Sequence, residues 1–326
     1  MNHFGKRLAC LIVASLLLFS AASISLAKMK TERRDLNDVH VAGQKIWIIG
    51  HMGIILYSGD KGESWAYQES NTKESLYRIC FVDEREAWVV GSYGIILHTG
   101  DGGHTWKSQE TSVDTMLFDV FFIDNKTGWA CGAGGIVIKT IDGGNTWGVV
   151  PVMFFDLYNV TFTDPNNGWA TGEFGMSFYS SDGGKTWAKA ENPIEIDYLT
   201  GEQECIFGTH FDEESGKGYL LSMNGGLLVT KDRGRSWEGL PNVSDNHFFN
   251  GYANKDKFWF IGQRGTLGFY IEKTGEIELI DSDVRRDLIG ISFGSDDFGI
   301  IVGASGTVLR TNDGEKWGLV KIQTEK

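Results

Sequence analysis

Short apolar runs alternate along this chain with small clusters of glycine, aspartate and serine, and the alternation repeats in a fixed order. Residues 76–109 show the unit. Leu76-Tyr77-Arg78-Ile79-Cys80-Phe81 is β-prone, and the polar residues 83–86 turn the chain. Ala87-Trp88-Val89-Val90 reads as a buried strand ended by Gly91, and Ser92-Tyr93-Gly94 makes a tight link. Ile95-Ile96-Leu97-His98-Thr99 is a third strand. Asp101-Gly102-Gly103 turns again, and Trp106 leads into a fourth. Four short strands with turn chemistry between them predict an antiparallel meander, and no unit carries apolar residues at helical spacing.

The unit recurs through the motif Asp-x-Gly-x-x-Trp. Its copies start at Asp60, Asp101, Asp142, Asp182 and Asp232 and end at Trp65, Trp106, Trp147, Trp187 and Trp237. A copy one residue shorter runs from Asp313 to Trp317. The gap between the last two copies is twice a repeat. Within it Phe258-Trp259-Phe260-Ile261-Gly262 keeps the strand pattern, while Glu272-Lys273-Thr274-Gly275 stands where the aspartate turn should be. Seven units of roughly 40 residues predict an all-β chain, a seven-bladed β-propeller of four-stranded antiparallel blades. The blades are expected near 36–68, 76–109, 117–150, 157–190, 206–240, 248–281 and 288–322.

The aspartate motif has a mechanical reading. A carboxylate accepts hydrogen bonds from backbone N–H groups of its own turn, glycine supplies the left-handed backbone, and the tryptophan buries a large area. Ser58, Thr99, Thr140, Ser180, Thr230 and Thr311, two residues before each aspartate, add a hydroxyl. Calcium would need six or more oxygens, and each turn offers one carboxylate.

The sequence Ser/Thr-x-Asp-x-Gly-x-Thr/Ser-Trp between third and fourth strands resembles the Asp-box, or BNR, repeat. Gly128-Trp129-Ala130-Cys131-Gly132, followed by the run from Gly135 to Trp147, resembles the photosystem II assembly and stability factor propellers. The resemblance covers residues 36–322, most of the chain. It implies a non-catalytic, monomeric propeller on the outer side of a membrane, a scaffold for a membrane protein complex. Photosynthetic members carry an arginine-rich partner surface. This chain has eleven arginines in all, which favours the non-photosynthetic relatives, some of which accompany export systems.

Composition then narrows the setting. The net charge of −13 argues against nucleic acid as a partner. Lys6 and Arg7, the apolar run Leu8 to Phe19 and Ser25-Leu26-Ala27 read as a secretory leader over residues 1–27. The remainder, residues 28–326, is then expected in the periplasm or outside the cell, without direct membrane insertion. Cys80, Cys131 and Cys205 allow at most one disulfide, so no disulfide framework is expected.

No metal-binding or dinucleotide signature is present, and no metal or cofactor is expected. Asp-box propellers include sialidases, so the alternative is a glycan-binding or glycan-cleaving propeller. Tyr77-Arg78-Ile79-Cys80 mimics a sialidase segment, but Leu117-Phe118-Asp119-Val120 and Leu157-Tyr158-Asn159-Val160 share its register, so the repeat accounts for it. With no catalytic residues assigned, the candidate binding residues lie on loops away from the aspartate turns. They are His51, Tyr93, Glu173, Phe174, Asn224 and Arg264, with Tyr198 in a lengthened loop after Trp187. First-strand positions Asp38, Arg78, Asp119, Asn159 and Asn250 are candidates for the channel rim.

Overall fold

The computed structural model describes residues 34–322 apart from 153, 191–204 and 212–215. Tyr198 and residues 1–27, where a leader is expected, therefore lie outside the described residues. The chain forms seven four-stranded antiparallel sheets, each running in sequence order from an inner to an outer strand. The result is the seven-bladed propeller that the repeat predicted. The inner strands, Leu36–Ala42, Leu76–Phe81, Leu117–Phe122, Leu157–Phe162, Ile206–Phe211, Phe248–Asn254 and Leu288–Ser295, surround a central channel. The second strands, such as Ala87–Gly91 and Gly128–Gly132, are buried along their length and read as unbroken apolar runs for that reason.

Six hydrophobic clusters of the described residues each span two adjacent blades. The second-strand residues Trp47, Trp88, Trp129, Trp169, Tyr219 and Trp259 each reach a ring of the next blade. Trp88 stacks on Phe122 and Trp129 on Phe162, both at 3.6 Å, and Tyr219 stacks on Phe258 at 3.9 Å. The last blade meets the first differently. Ile300 and Val302 pack against Val39, Val41 and Ile48. Val41 N–H donates to Ser292 Oγ (3.1 Å), and Ser305 N–H to Asp35 Oδ1 (2.9 Å). Among the described residues the ring thus closes by packing and these hydrogen bonds, with no strand exchanged between its ends.

The two ends of the channel differ in chemistry. At one end the aspartate turns lie against the turns between first and second strands, as in Gly102 N–H to Arg85 O (2.9 Å). Asp101 accepts from Thr105 N–H (2.9 Å), Thr105 Oγ1 (2.7 Å) and Thr99 Oγ1 (2.8 Å). Asp60, Asp142, Asp182 and Asp232 repeat this pattern, and the shorter turn at Asp313 keeps part of it. The hydroxyl and backbone donors of Ser64 hold the Asp60 carboxyl down to about 2, and those of Ser236 do the same for Asp232. A folded-state value below the ordinary 3.8 stabilises the fold above pH ~4, and that contribution is lost as pH falls towards 2. Thermal midpoints should therefore drop between pH 4 and 2. A flat profile across that interval would show that the turns contribute nothing.

Candidate functional site: the channel mouth

At the other end, the links between second and third strands meet the starts of the inner strands, as in Ser92 N–H to Ser75 O (2.9 Å). The central residue of every link is left-handed: Met52 (φ 60°), Tyr93 (56°), Gly134 (72°), Phe174 (58°), Asn224 (55°), Arg264 (55°) and Ser305 (55°). Glycine or asparagine would sit there at little cost, yet Met, Tyr, Phe and Arg occupy four of the seven tips. Tyr93 is 73% exposed and Met52 48%.

The sequence-derived loop residues are therefore gathered around one face, in differing states. Tyr93 and Arg264 point to solvent, whereas Phe174 packs edge-on against Phe155 (4.7 Å). Glu173 accepts Asp156 N–H (3.0 Å) and so ties its link to the inner strand. Asn224 N–H donates to His247 Nδ1 (3.1 Å), and His51 lies 3.8 Å from Asp35. The αL backbone N–H groups of Gly134 and Arg264 are held by Asp156 and Asp287 of the following blades (both 2.9 Å).

The five first-strand candidates all line the channel. Asp38 and Asp119 are buried and flank Arg78, with Arg78 Nε donating to Asp119 Oδ1 at 2.7 Å and the Asp38 contact at 3.6 Å. The second oxygen of each carboxylate crosses to the next blade's backbone: Ile79 N–H to Asp38 Oδ2 (3.0 Å) and Val160 N–H to Asp119 Oδ2 (2.9 Å). Asn159 Nδ2 also donates to Asp119 Oδ2 (2.8 Å), and Asn250 Nδ2 to Ile289 O (3.2 Å). Burial pushes the Asp38 carboxyl up, and the Arg78 charge opposes that. Burial works against the Arg78 charge, but Asp119 and Asp38 outweigh it and hold the guanidinium ionised. These residues are both channel wall and interblade fastening.

One structural feature escaped the sequence reading. Every inner strand carries a register shift against its neighbour at the same place. The extra residue is Asn37, Tyr77, Phe118, Tyr158, Phe207, Phe249 or Ile289, and each is half-buried. A bulge turns the side chain out of the ladder and towards the strand end. Five of these seven are aromatic, on adjacent blades, and their rings stand side by side. Centroid separations are 6.0 Å for Tyr77–Phe118, 5.5 Å for Phe118–Tyr158, 5.6 Å for Tyr158–Phe207 and 5.5 Å for Phe207–Phe249. The channel mouth is thus rimmed by an aromatic arc broken at Asn37 and Ile289. Exposed Met116 (43%) touches the arc through its sulfur, 3.8 Å from the Tyr77 hydroxyl. Once the repeats are aligned, these residues form a column immediately after the first buried apolar residue of each inner strand. That column was the available signal.

Among the described residues no group of three or more His, Cys, Asp or Glu side chains could hold a metal ion. Among them no helix is long and apolar enough to cross a membrane.

Residues 64–153 and 104–195 match the family described as photosynthesis system II assembly factor YCF48. A solved structure of YCF48 bound to a D1 peptide superposes with a TM-score of 0.69 at 20% identity, over 85% of this chain and 93% of that one. YCF48 from Cyanidioschyzon merolae gives 0.68 at 17% identity, over 86% and 96%. PorZ, a surface component of the type-IX secretion system of Porphyromonas gingivalis, gives 0.64 at 10% identity, over 90% of this chain and 38% of that one. These structural likenesses are likenesses of fold. No curated protein matches the sequence.

Proposed function

We propose that this chain, a photosystem II assembly factor-like propeller, is a non-catalytic docking scaffold outside the cytoplasm that grips a membrane protein complex through its channel mouth. The observation that carries this reading is the aromatic arc. Large rigid rings with few rotatable bonds give much contact area for little ordering cost, which makes them effective anchors. Tyr93 and Arg264 in left-handed backbone support it, since strained positions with displayed side chains cluster at binding sites. The leader-like start of the chain supports the compartment. A YCF48 structure holds a peptide of D1, and PorZ belongs to a secretion system, so propellers of this shape do bind protein partners.

The glycan reading leans on Arg78 and Glu173. Both are already engaged inside the protein, Arg78 by two carboxylates and Glu173 by a backbone N–H. A ligand carboxylate would have to displace them.

Site-specific photocrosslinking from Tyr93 in intact envelopes should yield a membrane protein adduct. Replacing Phe118 and Phe207 with serine should weaken that capture by at least ~tenfold, the loss of about one anchor. The rings are half-exposed, so the fold should survive. Ile141→Ser, on the aspartate-turn face and 70% exposed, should leave capture unchanged. Equal capture by all three proteins would place the interface elsewhere, and turnover of a sugar substrate with no adduct would favour the glycan reading.

A further inference from the structure

At two junctions between blades the outer rim is plugged by the residue three positions after the aspartate-turn tryptophan. In the first two blades that residue is glutamine. Gln68 Oε1 accepts Trp106 Nε1–H (3.1 Å) from the next blade. Gln109 Oε1 accepts Trp147 Nε1–H (3.3 Å), while its amide nitrogen donates to Gly143 O (2.8 Å). In blade 4 the equivalent residue is Ala190, which is too short to fill the gap. A cleft of about 400 Å³ opens there against blade 5.

Its lining is unusual for so acidic a chain. Arg233 and Arg235 reach it from the aspartate turn of blade 5, and Lys189 from the outer strand of blade 4. Among the described residues none of these three cations forms an ion pair. Asp164 is near enough to Arg233 to feel its charge, but it spends its oxygens on the backbone and side chain of Asn167 and on Asn166 N–H. The corresponding place of Arg235 holds Glu63 in the first blade and Glu315 in the last, so the turn itself does not ask for a cation. Trp169 is buried and lines the cleft. Its indole N–H has no acceptor among the described residues, whereas the equivalent Trp129 donates to Gly183 O (3.1 Å). Alongside runs the two-residue outer strand Ala188–Lys189, whose far edge pairs with no other strand of the sheet.

We infer that the cleft between blades 4 and 5 binds an acidic segment of a partner polypeptide. Its carboxylates lie on Arg233, Arg235 and Lys189, and its backbone runs along the free edge of the outer strand. Guanidinium and carboxylate make charge-assisted, directional pairs, and a free edge accepts an extended peptide. A chain of net charge −13 repels acidic peptides in general, so binding of one reports a local site rather than diffuse attraction. The cleft opens beside the aspartate turns, away from the aromatic arc. The inference therefore stands or falls independently of the channel-mouth reading.

The test uses the full chain after its leader and the fluorescein-labelled peptide Gly-Asp-Glu-Phe-Asp-Glu-Gly, read by fluorescence anisotropy. The acidic peptide should bind, and Gly-Lys-Lys-Phe-Lys-Lys-Gly should not. Arg235→Glu installs what two other blades carry, Arg233→Gly suits the left-handed backbone at φ 61°, and Ala190→Gln restores the plug. Each should leave the thermal midpoint near the parent's and weaken the peptide at least ~tenfold. Undiminished binding by Ala190→Gln and Arg235→Glu would overturn the assignment. So would no binding by the parent, or displacement of the peptide by an equal concentration of free glutamate, which would mark a site for a small carboxylate.

Discussion

Trp129→Ala should be the most destabilising single change in the aromatic framework, at about 4 kcal/mol, or on the order of 10 °C in the thermal midpoint. Trp129 is fully buried and lies parallel to Phe162 of the next blade at 3.6 Å. Its indole N–H donates to Gly183 O (3.1 Å), and the Lys139 ammonium sits 5.1 Å from the ring centre. Truncation would leave a large cavity between two blades, a Gly183 carbonyl reduced to its bond from Lys139 Nζ (2.6 Å) and a cation without its ring. Trp129→Phe keeps most of the stack and should lose less than half as much. Trp147→Ala, at the end of an aspartate turn, should also cost less. That ring meets Phe122 only edge-on at 5.8 Å and is partly accessible at 9%. Differential scanning calorimetry on the three proteins gives the ranking directly. A larger loss for Trp147→Ala than for Trp129→Ala would reverse the account of what joins the blades.

That ranking bears on what the sequence makes visible. The aspartate motif is the loudest signal because its chemistry is local: carboxylate, hydroxyl and glycine all fall within a few residues. Spacing alone then counts the blades, and the sixth blade confirms that the motif is a fastening rather than a requirement. That blade lacks the turn and its Trp, yet it pairs Phe269 with Glu278 and Tyr270 with Ile277. The second-strand aromatics were equally visible, but their partners were not, since Trp129 and Phe162 meet across a blade boundary. The channel mouth was half legible. The loop residues could be assigned to one face from topology. The arc of Tyr77, Phe118, Tyr158, Phe207 and Phe249 depends on a bulge, and a bulge changes register without altering residue order. The cleft beside Ala190 was harder still. It exists because a side chain is absent, and it shows only when blade 4 is compared with blades 1 and 2.

Arg78→Met is the second large effect, and its signature is a dependence on pH. Arg78 stands between the buried carboxylates of Asp38 and Asp119, on the first three blades. Removing the guanidinium leaves two carboxylates facing each other without a cation. Breaking a buried charge cluster in this way costs about 3 kcal/mol near neutral pH. The carboxylates cannot simply turn to solvent, because each also holds the backbone N–H of the next inner strand, at Ile79 and Val160. The sign of the pH effect follows from Asp38. Its carboxyl is already raised by burial and restrained by Arg78, so loss of Arg78 raises it further. A raised folded-state value gives stability that is present below the unfolded value and is lost as pH rises through the folded one. The deficit of Arg78→Met against the parent should therefore be largest at pH 8 and shrink towards pH 4.5, both proteins losing their aspartate turns only below that. Asp38→Asn placed in the Arg78→Met background should recover part of the loss, since the amide keeps an acceptor for Ile79 N–H without the charge. Guanidinium unfolding at pH 4.5 and 8 resolves the question. An equal deficit at both values, with no recovery in the double variant, would mean that Arg78 fills space at the centre of the ring and that its charge holds nothing together.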